Sequence, residues 1–203
     1  MGEQQPQPHY YTPAEYFALE EQGEVRHEYF GGEVFAMAGA TKAHNLLSKA
    51  MMNGLDAALL GRQCRVFIGD VRVVIKENHH YVYPDVVVSC DPDDERDDLL
   101  VRKPLLIVEV LSDSTAAYDR SDKFKHYRQL ASLRYYVLIH QNRWLVEWFH
   151  REEPDKWVYH SLDSPTDVLE IAELNLQLPL ADLYAATNIA PLRLTPPPGE
   201  EPR

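Results

Sequence analysis

Tyr83-Pro84-Asp85-Val86-Val87-Val88 and Pro104-Leu105-Leu106-Ile107-Val108-Glu109-Val110 decide how this chain is read. Both are short apolar runs rich in β-branched residues, and both read as strands. The first opens on Pro-Asp, and the second carries a carboxylate near its end. A carboxylate among Val, Ile and Leu is costly to bury without a partner. Two of them point to a bound cation, a shared proton or a basic neighbour. Lys123 follows on the next predicted helix. Two carboxylates on neighbouring strands with a lysine nearby make a workable site for a hard divalent metal and an activated water.

Upstream, Thr12-Pro13-Ala14-Glu15 is a helix start, with Thr as N-cap, Pro at the first helical position and Glu at the third. That helix should stop near Gly23. Arg26 to Phe30, Gly31-Gly32 and Glu33 to Met37 read as a hairpin. Thr41 caps a longer helix to about Leu60, on which His44, Leu47, Met51, Leu55 and Ala58 share one stripe. Strands are expected over 65–75, with a break near Gly69, over 82–88 and over 105–111, with Asn78-His79-His80 as a turn. A helix over about 117–130 puts Phe124, Tyr127 and Ala131 on one face. Residues 134–140 and 144–149 form a second hairpin, which a short strand near 157–161 extends. This order predicts a mixed α/β domain over residues 10–190, one sheet flanked by helices. Residues 1–9 and 191–203 are polar, Pro-rich ends expected to be flexible.

The 203 residues are 45% hydrophobic, enough for a core. No apolar run approaches the roughly 18 residues of a membrane span, and Met1 to Pro6 lacks the apolar stretch of a signal peptide. A reducing, cytoplasmic setting is therefore the expectation. Cys64 and Cys90 are not spaced as a zinc site or a disulfide framework and read as two small residues at strand ends. A net charge of −12 argues against a broad basic nucleic-acid footprint but not a local one. The acidic run from Asp91 to Asp98 lacks the ligand spacing of a calcium loop and reads as a solvated loop.

Taken in order, Tyr83-Pro84-Asp85, then Leu105 to Ser112, then Asp119-Arg120 with Lys123 and Tyr127 resemble the Uma-two family of endonuclease-like proteins. That family belongs to the restriction-endonuclease-like PD-(D/E)xK superfamily. Glu28, Gly32-Glu33, Met37 and His44 also match its N-terminal pattern, and the resemblance covers roughly residues 10 to 185. It implies a restriction-endonuclease-like mixed central sheet flanked by helices, with an N-terminal helix-hairpin extension. It also implies metal-dependent hydrolysis of DNA phosphodiester bonds, with Asp85 and Glu109 holding Mg2+ or Mn2+. The superfamily carries a lysine two residues past the strand Glu, where this chain has Leu111. Lys123 stands where a helix lysine substitutes for it, as charge for the scissile phosphate or activator of a bound water. Superfamily nucleases are often dimers, so a homodimer is expected, with weak and local contact to DNA.

Each residue also has a structural reading. Asp85 can cap backbone amides, and Glu109 can sit in a buried salt bridge. Lys123 can pair with Asp119 at i,i+4, while Lys125 points away from it. Tyr127 suits packing first and phosphate contact second. His44 suits a hydrogen-bonded core position before a ligand role. Glu28 and Glu33 are accessory candidates of which at most one should reach the site. His79 and His80 read as turn residues. Two other functions compete with catalysis. One is a member that binds DNA or protein without cutting, favoured by Leu111 and the acidic charge and decided by whether Lys123 reaches the carboxylates. The other is an interaction protein whose strand acids pair with an arginine such as Arg72. No G-x-S-x-G, phosphate loop or dinucleotide fingerprint is present.

Overall fold

Thr12 caps the first helix, α1 (Pro13–Gln22), in the computed structural model, which describes residues 9–113 and 115–191. The Thr12 hydroxyl accepts from the Glu15 amide, and the Glu15 carboxylate accepts from the Thr12 amide. This reciprocal pairing satisfies two helix-end donors. β1 (His27–Phe30) and β2 (Glu33–Ala36) follow as the expected hairpin, turning on Gly31 and Gly32 at φ of 57° and 99°. Two successive positive φ values suit glycine, which carries no Cβ to clash.

Helix α2 (Lys42–Ala58) starts at Thr41 as read, and its apolar stripe of Leu47, Met51 and Leu55 is fully buried. Beyond it most of the strands sort into two large sheets. β3 (Arg65–Ile68) and β6 (Val86–Ser89) join the long central strands β8 (Pro104–Leu111), β9 (Tyr135–His140), β10 (Val146–Glu153) and β11 (Lys156–Leu162) in a six-stranded sheet of order β11-β10-β9-β8-β6-β3. β4 (Arg72–Lys76), β5 (His80–Val82) and the short β7 (Leu100–Val101) join the first hairpin in a five-stranded sheet of order β2-β1-β5-β4-β7. The hairpin is thus an integral edge of a second sheet and not an appendage. Among the described residues only the β8–β9 and β4–β7 pairs are parallel, so both large sheets are mixed.

The expected strand over 82–88 is broken at the residues that matter most. Val82 ends β5 in one sheet, and Val86 begins β6 in the other. Tyr83-Pro84-Asp85 is the crossover. Pro84 has no amide hydrogen for a ladder, so the chain changes sheets there at little cost. Gly69, at φ of 71°, makes the matching crossover between β3 and β4.

The six-stranded sheet has two covered faces. Val86, Val88, Leu106, Val108 and Val110 pack on one side against Leu47, Met51 and Leu55 of α2. A terminal hairpin, β12 (Val168–Ile171) and β13 (Leu176–Pro179), and helix α5 (Leu180–Tyr184) complete that side. These three elements had no counterpart in the sequence reading. On the other side Val87, Ile107 and Leu111 meet Tyr127, Leu130 and Leu133, with Val73, Val82 and Val101 of the smaller sheet. The intervening helix is irregular. α3 (Ala116–Tyr118) passes through a π turn (Asp119–Lys123) into α4 (Phe124–Tyr127), shorter than expected. π turns inside helices recur at functional sites.

Two expectations are corrected. Cys64 and Cys90 form a disulfide. Arg65 of β3 pairs with Ser89 of β6, so the residues just outside that pair face each other across antiparallel strands. Strand register brings the thiols together, and spacing along the chain cannot show it. The acidic run is not wholly solvated either. Asp94 is buried and accepts from the amides of Arg102 (2.8 Å) and Lys103 (3.1 Å) and the Ser89 hydroxyl (2.6 Å). It anchors the turn into β8, while its neighbours Asp93 and Glu95 stay at the surface. The polar tails read as residues 1–9 and 191–203 lie almost entirely outside the described residues. Among the described residues no helix is long and apolar enough to cross a membrane.

Candidate active site

Alternation along β8 sends Val108 and Val110 toward α2 and Glu109 to the opposite face. Antiparallel pairing of β6 with β8 matches Val86 to Val108. The next position outward sets Asp85 beside Glu109. Asp85 is half-buried, and its Oδ2 accepts from the Val110 amide at 2.6 Å. Nε2 of His44, one turn into α2, is 3.2 Å from the same oxygen. His44 therefore leaves the apolar stripe and faces Asp85.

Glu109 is 4% exposed and Lys123 6%. Lys123 Nζ is 2.9 Å from Glu109 Oε1, 3.0 Å from Glu28 Oε1 and 3.8 Å from Asp119 Oδ1. The i,i+4 partner is the most distant of the three, so Lys123 is not a surface helix contact. It is a buried cation shared among acids from β1, β8 and the π turn. Tyr127 is fully buried and donates from its hydroxyl to Glu109 Oε1 at 2.7 Å. Its place is behind Glu109, where it orients the carboxylate. Of the two hairpin acids, Glu28 reaches the site and Glu33 is exposed on the edge strand. Lys125 is exposed, as the helix rotation required. Arg72 is not the partner of the strand acids. Its guanidinium lies over the Phe17 ring at 4.9 Å.

Burial pushes the Glu109 carboxyl well above the usual range, with Lys123 pulling against it and Asp119 and Asp85 adding to it. Burial also raises Asp119. For Lys123, burial opposes the charge, but Glu109, Glu28 and Asp119 outweigh it and hold the ammonium well above the ordinary lysine value. Burial and the neighbouring Glu109 likewise raise Tyr127, which stays a neutral donor. The site is an acidic cluster around one fixed positive charge.

The acids and Lys123 line one cavity of about 680 Å³, with Tyr127 behind its wall. Glu28, Asp85, Glu109, Asp119 and Lys123 form part of its wall, with His44 and Asn45 from α2 and Gln141 from the end of β9. Gln141 is tied to the Thr41 hydroxyl, which holds the start of α2 over the cavity. Asp119 and Gln141 were not read as candidates. Asp119 had a signal in the Asp119-Arg120 motif, and Gln141 had none beyond its turn. Arg120 of the same motif binds Glu147 (2.8 Å), which also meets His140 (2.9 Å), and does not line the cavity.

His80 was read as a turn residue and is instead buried at the start of β5. Its ring lies 4.7 Å from both Phe30 and His126. Burial, then the neighbouring His126, His79 and Lys123, lower its pKa to about 3. The unfolded chain therefore binds a proton that the fold refuses between about pH 6.5 and pH 3. Stability should fall as the pH drops through that window. The melting temperature of His80→Phe, followed from pH 7 to pH 4, should decline less steeply than that of the unaltered chain. Parallel curves would remove this histidine as a source of acid sensitivity.

The donor set fits a hard divalent ion. It is all oxygen, and Asp85 and Glu109 stand on the same cavity wall, where they would hold the ion. Among the described residues no three His, Cys, Asp or Glu side chains form a ready cage. Mg2+ commonly takes one or two carboxylates and fills its other positions with water and phosphate oxygens.

The family model described as "Putative restriction endonuclease" matches residues 13–181. The chain belongs to this family, Uma2. Two proteins of Synechocystis sp., named as uncharacterized proteins slr1290 and sll1609, are similar to it. The first is 32% identical over 85% of this chain and 90% of its own length. The second is 34% identical over 81% and 94%. A crystal structure from Anabaena variabilis, described as a "putative nuclease", superposes with a TM-score of 0.71. It covers 86% of this chain and 98% of its own at 17% identity, a likeness of fold. Family and fold together are those of a restriction-endonuclease-like nuclease.

Proposed function

We propose that this Uma2 member is a metal-dependent endonuclease that hydrolyses phosphodiester bonds of DNA. The observation that carries the reading is the buried Lys123 ammonium set 2.9 Å from Glu109, in the cavity that Asp85 also lines. Leu111 leaves the strand without a lysine, and Lys123 supplies the charge from the helix. That contact is also what a binding-only member would lack, so it weighs against the second reading.

Asp85 and Glu109 would hold Mg2+ or Mn2+, which when bound polarises the phosphate and lowers the pKa of a water. The Val110 amide and His44 fix Asp85, while Tyr127 fixes Glu109. Because Lys123 keeps its proton, it acts as a positive charge toward the phosphate and not as the base that takes the water's proton. Glu28 and Asp119 hold that ammonium in place. The protein would work as a homodimer, pairing two cuts. The test is incubation of purified protein with labelled DNA and Mg2+ or Mn2+. Cleavage that a chelator abolishes is expected. A protein inert on single- and double-stranded DNA with either metal would overturn the reading.

A further inference from the structure

The mouth of the cavity carries apolar and aromatic side chains that metal chemistry does not need. Phe35, Met37, Ile68 and Tyr118 all line it and are 52%, 37%, 40% and 40% exposed. They come from β2, the loop after it, β3 and α3, so four separate elements contribute to one rim. The intervening loop, Ala38-Gly39-Ala40, has small side chains, and a Cβ on Gly39 would meet nothing within 4 Å.

The acidic wall of the cavity repels a duplex, with one phosphate charge per about 1.7 Å of its axis, more strongly than a single strand of half that charge density. Among the described residues lining the cavity, Lys123 is the sole lysine or arginine, and its contacts are with Glu109, Glu28 and Asp119. Glu28, Asp85, Glu109, Asp113 and Asp119 line the same wall. A protein that grips double-stranded DNA neutralises many phosphates with Lys and Arg. Here the available affinity is in stacking, which needs a base whose face is exposed. Tyr118 is held in its neutral form by burial and by Glu28, so it offers a ring and a hydroxyl rather than a second negative charge.

We propose that the substrate is single-stranded DNA, with an unpaired base seated on the rim formed by Phe35, Met37, Ile68 and Tyr118 while the adjoining phosphate reaches the acidic floor. This rests on the nuclease reading and specifies its substrate class. Stacking supplies the binding that basic residues supply elsewhere.

The test separates binding from cutting. A fluorescent 20-nucleotide single strand, the same sequence as a duplex, the corresponding RNA and a strand with a run of abasic sites are titrated in chelator. The two DNA forms are then cut with Mg2+ or Mn2+. The plain strand should bind and be cut at least tenfold better than the duplex, and the abasic strand should bind about tenfold worse than the plain one. Phe35→Ala and Tyr118→Ala should each weaken single-strand binding about tenfold, and Phe35→Trp should restore it. Both residues are partly exposed, so the variants should fold, which circular dichroism checks. Equal or better binding to duplex, to RNA or to the abasic strand would overturn the proposal. So would a Phe35→Ala protein that elutes as a smaller species with unchanged DNA binding, since the rim would then be a subunit contact. Cutting of duplex and single strand at equal rates would sink this substrate class and leave the nuclease reading standing. Strong, Phe35-dependent binding of single strands without any cleavage would do the reverse.

Discussion

Glu109→Ala and Asp85→Ala should each lower DNA cleavage by three or more orders of magnitude. Each removes a proposed metal ligand, and with it the positioning of water and phosphate together. Both should also cost stability. Glu109→Ala leaves the fully buried Tyr127 hydroxyl without its acceptor and takes one acid from beside Lys123, which Glu28 and Asp119 still accompany. Asp85 accepts from the Val110 amide, so its loss leaves a strand donor unpaired and should cost about 1–3 kcal/mol. Single-turnover cleavage on excess enzyme reads the first effect, and urea unfolding reads the second. Activity that survives in Glu109→Ala would trace the cleavage to a contaminating nuclease and remove Glu109 from the site.

Lys123→Met should both slow cleavage, by about a hundredfold, and destabilise the fold by about 3–5 kcal/mol. The first effect is loss of one positive charge near the phosphate, with the carboxylates left in place. The second follows from leaving Glu28, Glu109 and Asp119 together without their cation. The pH dependence has a definite sign. The folded pKa of Lys123 is raised, so its contribution is complete below the ordinary lysine value of about 10.4 and is lost only as pH climbs through the higher folded value. Across pH 5 to 8 it is constant. Glu109 and Asp119 are also raised, so the folded chain binds more protons than the unfolded one above the ordinary carboxylate range. Their effect is a loss of stability as pH rises, which Lys123 normally limits. The melting temperature of Lys123→Met should therefore drop more between pH 5 and pH 8 than that of the unaltered chain. A variant that keeps both its melting curve and its activity would return Lys123 to an ordinary helix lysine.

Local chemistry in the chain determined a good part of this molecule. The Thr12 to Glu15 capping box, the Gly31-Gly32 hairpin, the buried stripe of α2 and the apolar run of β8 all stand where the residues put them. Each depends on contacts within a few residues, and side-chain period or turn geometry expresses those directly. Asp85, Glu109 and Lys123 were legible because acids in apolar strands call for a partner.

Only the tertiary structure decided which partner each group found. It took the pairing of β1 with β5 to bring Glu28 inward and leave Glu33 outside. It took the β3–β6 register to join Cys64 to Cys90, and the turn into β8 to bury Asp94 within an acidic run. The crossovers at Gly69 and at Tyr83-Pro84-Asp85 sent adjacent strands into different sheets, and the last hairpin with α5 closed the face over α2. In every case the deciding contact joins distant parts of the chain or depends on strand register. A one-residue change of register reverses every side chain of a strand, so no local pattern can say which acid ends up beside the lysine.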